Sequence, residues 1–73
     1  MSMEIQVLDA VALTKDLPEK GLRKGQVGTI VETLGRGAFE VEFSDAEGRV
    51  YALAAIKRAQ LMVLHYQQVA VGQ

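Results

Sequence analysis

The sequence predicts a small all-β domain of five short strands, and three observations support this fold class. The chain has 73 residues, which allow one domain with one modest core. Its apolar residues recur mostly with period two, as in strands that bury one face. Short stretches rich in glycine and charged residues separate the apolar runs, which is typical of turns. We expect residues 8–64 to form the domain, residues 1–7 an N-terminal extension and residues 65–73 a C-terminal tail.

The first strand and the loop after it are predicted from residues 8–25. Residues 8–14 place Val11 and Leu13 on one face and two alanines on the other, as in a short strand. Residues 15–25 contain the only proline, two glycines and six charged residues, which favour a long loop. Two leucines in this polar loop, Leu17 and Leu22, are expected to fold it back over the core.

A hairpin is predicted from residues 26–43. Residues 26–34 are rich in β-branched side chains, and Gly28 is expected to mark a bulge or a tight bend in this second strand. Two glycines at 35–37 suit a tight turn. In residues 38–43, apolar side chains then alternate with glutamates, which predicts a strand with one face buried and the other exposed to solvent. The predicted inward residues are Phe39, Val41 and Phe43, and the outward ones are Glu40 and Glu42.

The remaining elements complete the sheet. Residues 44–48 read as a turn, and residues 49–56 as a fourth strand. Residues 57–60 are too few for an α-helix and predict one 3₁₀ turn before a closing strand at 61–64. An alternative helix over 50–62 stays open, because this segment contains several good helix formers. The five strands, the long loop and the 3₁₀ turn together predict an SH3-like barrel.

Several short segments also resemble a family of small bacterial proteins known only as a domain of unknown function. The similarity covers residues 8–64 and includes the stretches 9–14, 16–18, 21–22, 24–25, 27–32 and 40–43. Residues 22–32 are similar, in addition, to the KOW-type motif of SH3-like barrels in ribosomal and transcription-elongation proteins. The resemblance implies an accessory or antitoxin-like role beside a neighbouring gene product. The tail at 65–73 departs from the family, whose usual chain stops soon after the closing strand.

Composition disfavours several classes of function. Eight basic and nine acidic residues give a net charge of −1, which is not the balance of a polyanion binder. The chain has no cysteine and one histidine, His65, too few for a usual zinc site, and we expect no metal and no cofactor. Glu40 with Glu42, and Ser44 with Asp45, are explained by a wet strand face and a turn, so no enzyme is predicted. The absence of a signal segment or a long apolar run predicts a cytoplasmic protein without membrane contact.

Two functional hypotheses remain. The first is a protein-interaction module that binds another protein through the long loop, the hairpin tip and exposed tyrosines, since aromatic and arginine side chains often anchor interfaces. The second is a nucleic-acid-binding accessory barrel of the KOW type, which uses the basic residues of the same set. The candidate partner-binding residues are Leu17, Lys20, Arg23, Lys24, Arg36, Tyr51 and Tyr66.

The C-terminal tail is predicted to take part in an oligomer interface. Its alternating apolar residues fit either a frayed terminus or an extra strand that pairs with an exposed sheet edge. The high apolar content of the chain, 49%, favours the extra strand and a homo-oligomer. Its predicted interface residues are Met62, Leu64, Tyr66, Val69 and Val71.

Overall fold

The computed structural model describes residues 4–64, and within them the fold is all-β. The strands are β1 (Ala10–Leu13), β2 (Val27–Gly35), β3 (Ala38–Ser44), β4 (Val50–Lys57) and β5 (Leu61–Val63). Two 3₁₀ turns, Pro18–Lys20 and Arg58–Gln60, lie in the β1–β2 loop and between β4 and β5.

The five strands form one antiparallel sheet in the order β4-β3-β2-β1-β5. The sheet curves around a single apolar core, in keeping with a small barrel-like fold. The predicted strand count, the long loop and the 3₁₀ turn before the last strand are confirmed. The alternative helix over 50–62 is wrong, because this segment forms β4, one 3₁₀ turn and the start of β5.

The third strand provides the centre of the core, as its alternation predicts. Phe39, Val41 and Phe43 are at most 6% exposed, while the residues between them face outward. Buried side chains from the other strands and from the loop surround these three. They are Ile5, Val11, Leu13, Leu17, Leu22, Ile30, Ile56 and Leu61.

Of the bulge or tight bend predicted at Gly28, the bulge is wrong. The pairing of Gly28 with Phe43 and of Thr29 with Glu42 is regular. The irregularities of β2 fall later, between Ile30 and Glu32 and between Thr33 and Gly35. Position 28 is instead closely packed, because a β-carbon there would lie 2.9 Å from the Glu42 carbonyl oxygen.

The long loop is folded back as predicted. Leu17 and Leu22 exchange two backbone hydrogen bonds, of 2.9 and 3.1 Å, and each side chain is 2% exposed. Burial of the two leucines contributes roughly 3–6 kcal/mol toward holding the loop against the core.

The core also extends into the N-terminal segment. Ile5 is 8% exposed and belongs to the core cluster. Between Ile5 and β1 the chain makes a turn, in which Asp9 N donates to Gln6 O at 3.0 Å and Leu8 has a φ of 79°. The first strand therefore begins at Ala10 rather than at residue 8, because the left-handed backbone at Leu8 interrupts extended structure.

Candidate partner-binding surface

The side chain of Gln26 connects the long loop to the fourth strand. Its Oε1 accepts a hydrogen bond from Arg23 N at 2.6 Å, and its Nε2 donates to the Tyr51 hydroxyl at 3.2 Å. Gln26 immediately precedes β2, and its own backbone is held because Leu13 N donates to Gln26 O at 3.0 Å. Gln26 therefore links the backbone of one candidate residue, Arg23, to the side chain of another, Tyr51.

Tyr51 is held in place but remains accessible. Its ring centroid lies 6.3 Å from that of Phe43, with an interplanar angle of 37°. The residue is 50% exposed, although its ring packs on a fully buried one. Because one side of the ring is fixed by Phe43 and its hydroxyl by Gln26, Tyr51 loses little conformational entropy when a partner covers it.

A shallow cleft adjoins the same loop. It has a volume of about 470 Å³ and is lined by Asp16, Pro18, Gly21, Leu22 and Arg23. The Asp16 carboxylate is fixed at its edge, because Asp16 Oδ1 accepts a hydrogen bond from Lys24 N at 2.8 Å. The cleft thus offers both an arginine and a carboxylate to a partner.

The candidate cations fall into two groups. Lys20, Arg23 and Lys24 are exposed in the loop before β2, whereas Arg36 lies at the hairpin tip at the other end of that strand. The tip adjoins the second 3₁₀ turn, since Arg58 N donates to Gly37 O at 2.7 Å. The sequence did not reveal this second basic region, which Lys57 joins by pairing with Ala38.

Leu17 does not contribute to this surface. It was a candidate partner-binding residue, but its side chain is buried in the core, where it anchors the loop. The remaining candidate, Tyr66, lies outside the described residues.

The described residues include only part of the predicted oligomer interface. Met62 pairs with Ala12 and is 53% exposed. Leu64 is half-buried, and its N donates to Ala10 O at 2.9 Å. Tyr66, Val69 and Val71 lie outside the described residues.

The glutamates of β2 and β3 lie on the outer face of the sheet. Glu40 and Glu42 point outward from β3, opposite Ala55 and Leu53 of β4, and Glu32 of β2 lies directly opposite Glu40. In the part of the chain from residue 4 to residue 64, no group of three His, Cys, Asp or Glu side chains could hold a metal ion. Over the same residues, no helix is long and apolar enough to cross a membrane.

These features define a small all-β domain with an ordered loop and a fixed, accessible tyrosine beside it. The chain belongs to the family described as Domain of unknown function (DUF4926), which matches residues 7–63. No curated protein and no solved structure significantly matches the chain.

Proposed function

We propose that this protein is a non-catalytic interaction module that binds another protein through the loop 15–26 and Tyr51. The observation that carries the proposal is the Gln26 side chain, which holds the Arg23 backbone and the Tyr51 hydroxyl at once. Arginine and tyrosine are frequent energetic anchors of protein interfaces, and holding the Arg23 backbone and the Tyr51 ring in place before binding lowers the entropic cost of association.

The arrangement of strands supports an SH3-like plan for this module. The sheet order β4-β3-β2-β1-β5, the long β1–β2 loop and the 3₁₀ turn between β4 and β5 agree with that plan. An antitoxin-like role, in which the bound protein is a neighbouring gene product in a bacterial cytoplasm, is one form of the proposed function.

Charge placement favours a protein partner over nucleic acid. The loop cations have the Asp16 carboxylate beside Lys24, and Arg36 lies at the far end of β2. A phosphate backbone is bound by clustered cations, so this division weakens the KOW-type alternative.

Affinity capture from the source cell tests the proposal. The immobilised full chain is compared with Arg23→Ala and Tyr51→Ala variants, with Arg49→Ala as the matched control because Arg49 is an exposed arginine of the β3–β4 turn. A protein bound by the wild type and by Arg49→Ala, but roughly tenfold less by the other two, supports the proposal. Equal capture by all four, or retention only of nucleic acid that is released steeply by salt, would contradict it.

A further inference from the structure

The fourth strand is a long sheet edge without a strand on its outer side. It ends the sheet order, and in the described part of the chain it pairs only with β3. Its eight residues contrast with the three of β5, the other edge strand. An edge strand presents unpaired backbone N–H and C=O groups along its length, to which another extended chain can hydrogen-bond.

Most of this edge lacks the features that usually prevent pairing. Proteins protect such edges with charged residues, prolines, bulges or very short strands. The register of β4 against β3 shifts between Val50 and Ala52, and from Ala52 to Lys57 the pairing is regular. In β4 the only charge is Lys57, at the last position, and there is no proline. Three of its apolar side chains, Val50, Tyr51 and Leu53, are 50–56% exposed.

The outer face of the sheet beside this edge is negatively charged. Ala52, Ala54 and Ile56 pack inward, so Leu53 and Ala55 point outward with their neighbours on β3. Those neighbours are Glu42, opposite Leu53, and Glu40, opposite Ala55. Glu32 lies on the far side of Glu40, and like charges placed directly opposite each other repel.

These glutamates determine which side chains an added strand should carry. A residue placed beyond Ala55 would lie about 10 Å from the backbone of Glu40, which is two strand spacings. A lysine or arginine there can extend over the Ala55 methyl group toward the Glu40 carboxylate. A residue beyond Leu53 meets an exposed leucine, which favours an apolar side chain.

We infer that β4 binds an extended segment of a partner protein whose outward side chains alternate between apolar and cationic. This inference rests on the proposed protein-binding function and adds the chemistry of the bound segment. The occupant is a foreign segment rather than residues 65–73, because that tail carries no lysine or arginine to meet the glutamates.

A peptide titration followed by the amide NMR signals of the full chain tests the inference. The probe is a peptide of about ten residues, long enough to pair along β4, in which threonine alternates with valine and lysine. The control peptide has glutamate in place of lysine. The expected result is that the signals of residues 50–57 shift with the lysine peptide, and that the glutamate peptide binds at least about tenfold more weakly.

Two matched protein variants locate the binding. Leu53→Lys places a charge on the β4 edge at an exposed position opposite Glu42, and it should abolish peptide binding. Met62→Lys makes the same change at a similarly exposed position of β5 and should leave binding unchanged. A Glu40→Gln variant should reduce the preference for the lysine peptide.

Other results would overturn the inference. They are the absence of binding up to about 1 mM peptide, equal binding of both peptides, and equal effects of the two lysine variants. A wild-type dimer in light scattering that Leu53→Lys converts to a monomer would assign the edge to a second copy instead. If capture of a partner depends on Arg23 and Tyr51 but neither peptide binds, the inference about the β4 edge is wrong and the proposed function stands.

Discussion

A β-carbon built on Gly28 would lie 2.6 Å from Val41 Cγ1, so the Val41 side chain occupies the space that a larger residue at position 28 needs. The same β-carbon would lie 2.9 Å from the Glu42 carbonyl oxygen, which belongs to the backbone of β3 and cannot rotate away. Gly28 is also where β2 pairs with both of its neighbours, Val11 on one side and Phe43 on the other.

We therefore expect Gly28→Ala to lower the free energy of unfolding by about 2–3 kcal/mol, through overpacking. Urea unfolding followed by circular dichroism measures the change. The Gly28→Ala, Val41→Ala double variant should be less destabilised than the sum of the single changes, by at least about 0.5 kcal/mol. Strict additivity would show that Val41 is not the obstacle.

The sequence predicts the regular elements because their patterns are local. The alternation of Phe39, Val41 and Phe43 identifies β3 and its buried face, and the two glycines around Arg36 identify the hairpin. The burial of Leu17 and Leu22 was predictable because leucines in an otherwise polar loop need an apolar contact.

Other features depend on contacts between distant segments. The burial of Ile5 is set by the path of the N-terminal segment, and nothing in residues 1–7 signals it. The role of Gly28 arises from the approach of β3. The link from Arg23 through Gln26 to Tyr51 joins residues 28 positions apart, and the sequence contains no periodic pattern that marks Gln26.

Leu8 adopts a backbone conformation that suits glycine better. Its φ is 79° and its side chain is 78% exposed, so the residue bears the cost of a left-handed conformation and gains little from burial. We expect Leu8→Gly to stabilise the protein by about 0.5–1 kcal/mol, net of the greater chain entropy of unfolded glycine. Leu8→Ala, which keeps a β-carbon, should change stability by less than about 0.3 kcal/mol. Equal stabilisation by both would show that the backbone is not the cause.

Asp45 organises the turn between β3 and β4. Its Oδ1 accepts hydrogen bonds from Glu47 N and Arg49 N, each at 2.9 Å, and its Oδ2 lies 3.2 Å from Arg49 Nε. We expect Asp45→Ala to cost about 1–2 kcal/mol of stability, because two backbone donors lose their acceptor.

Asp45→Asn provides the control for this turn. It keeps an Oδ1 acceptor and removes only the exposed ion pair with Arg49, so it should remain within about 0.5 kcal/mol of the wild type. Thermal unfolding at neutral pH compares the variants. A loss as large for asparagine as for alanine would assign the effect to charge rather than to the backbone hydrogen bonds.

The candidate surface depends on the side chain of Gln26. Replacing Gln26 by alanine removes the acceptor for Arg23 N and the donor to the Tyr51 hydroxyl. We expect a stability loss of about 1 kcal/mol and faster hydrogen exchange at the Arg23 amide, since that amide then opens to water without breaking a protein hydrogen bond. Gln6→Ala is the matched control, because Gln6 is an exposed glutamine whose backbone, rather than its side chain, forms the turn with Asp9. Unchanged exchange at Arg23 in Gln26→Ala would show that the loop is ordered by Leu17 and Leu22 alone, and that Gln26 does not prepare the surface for a partner.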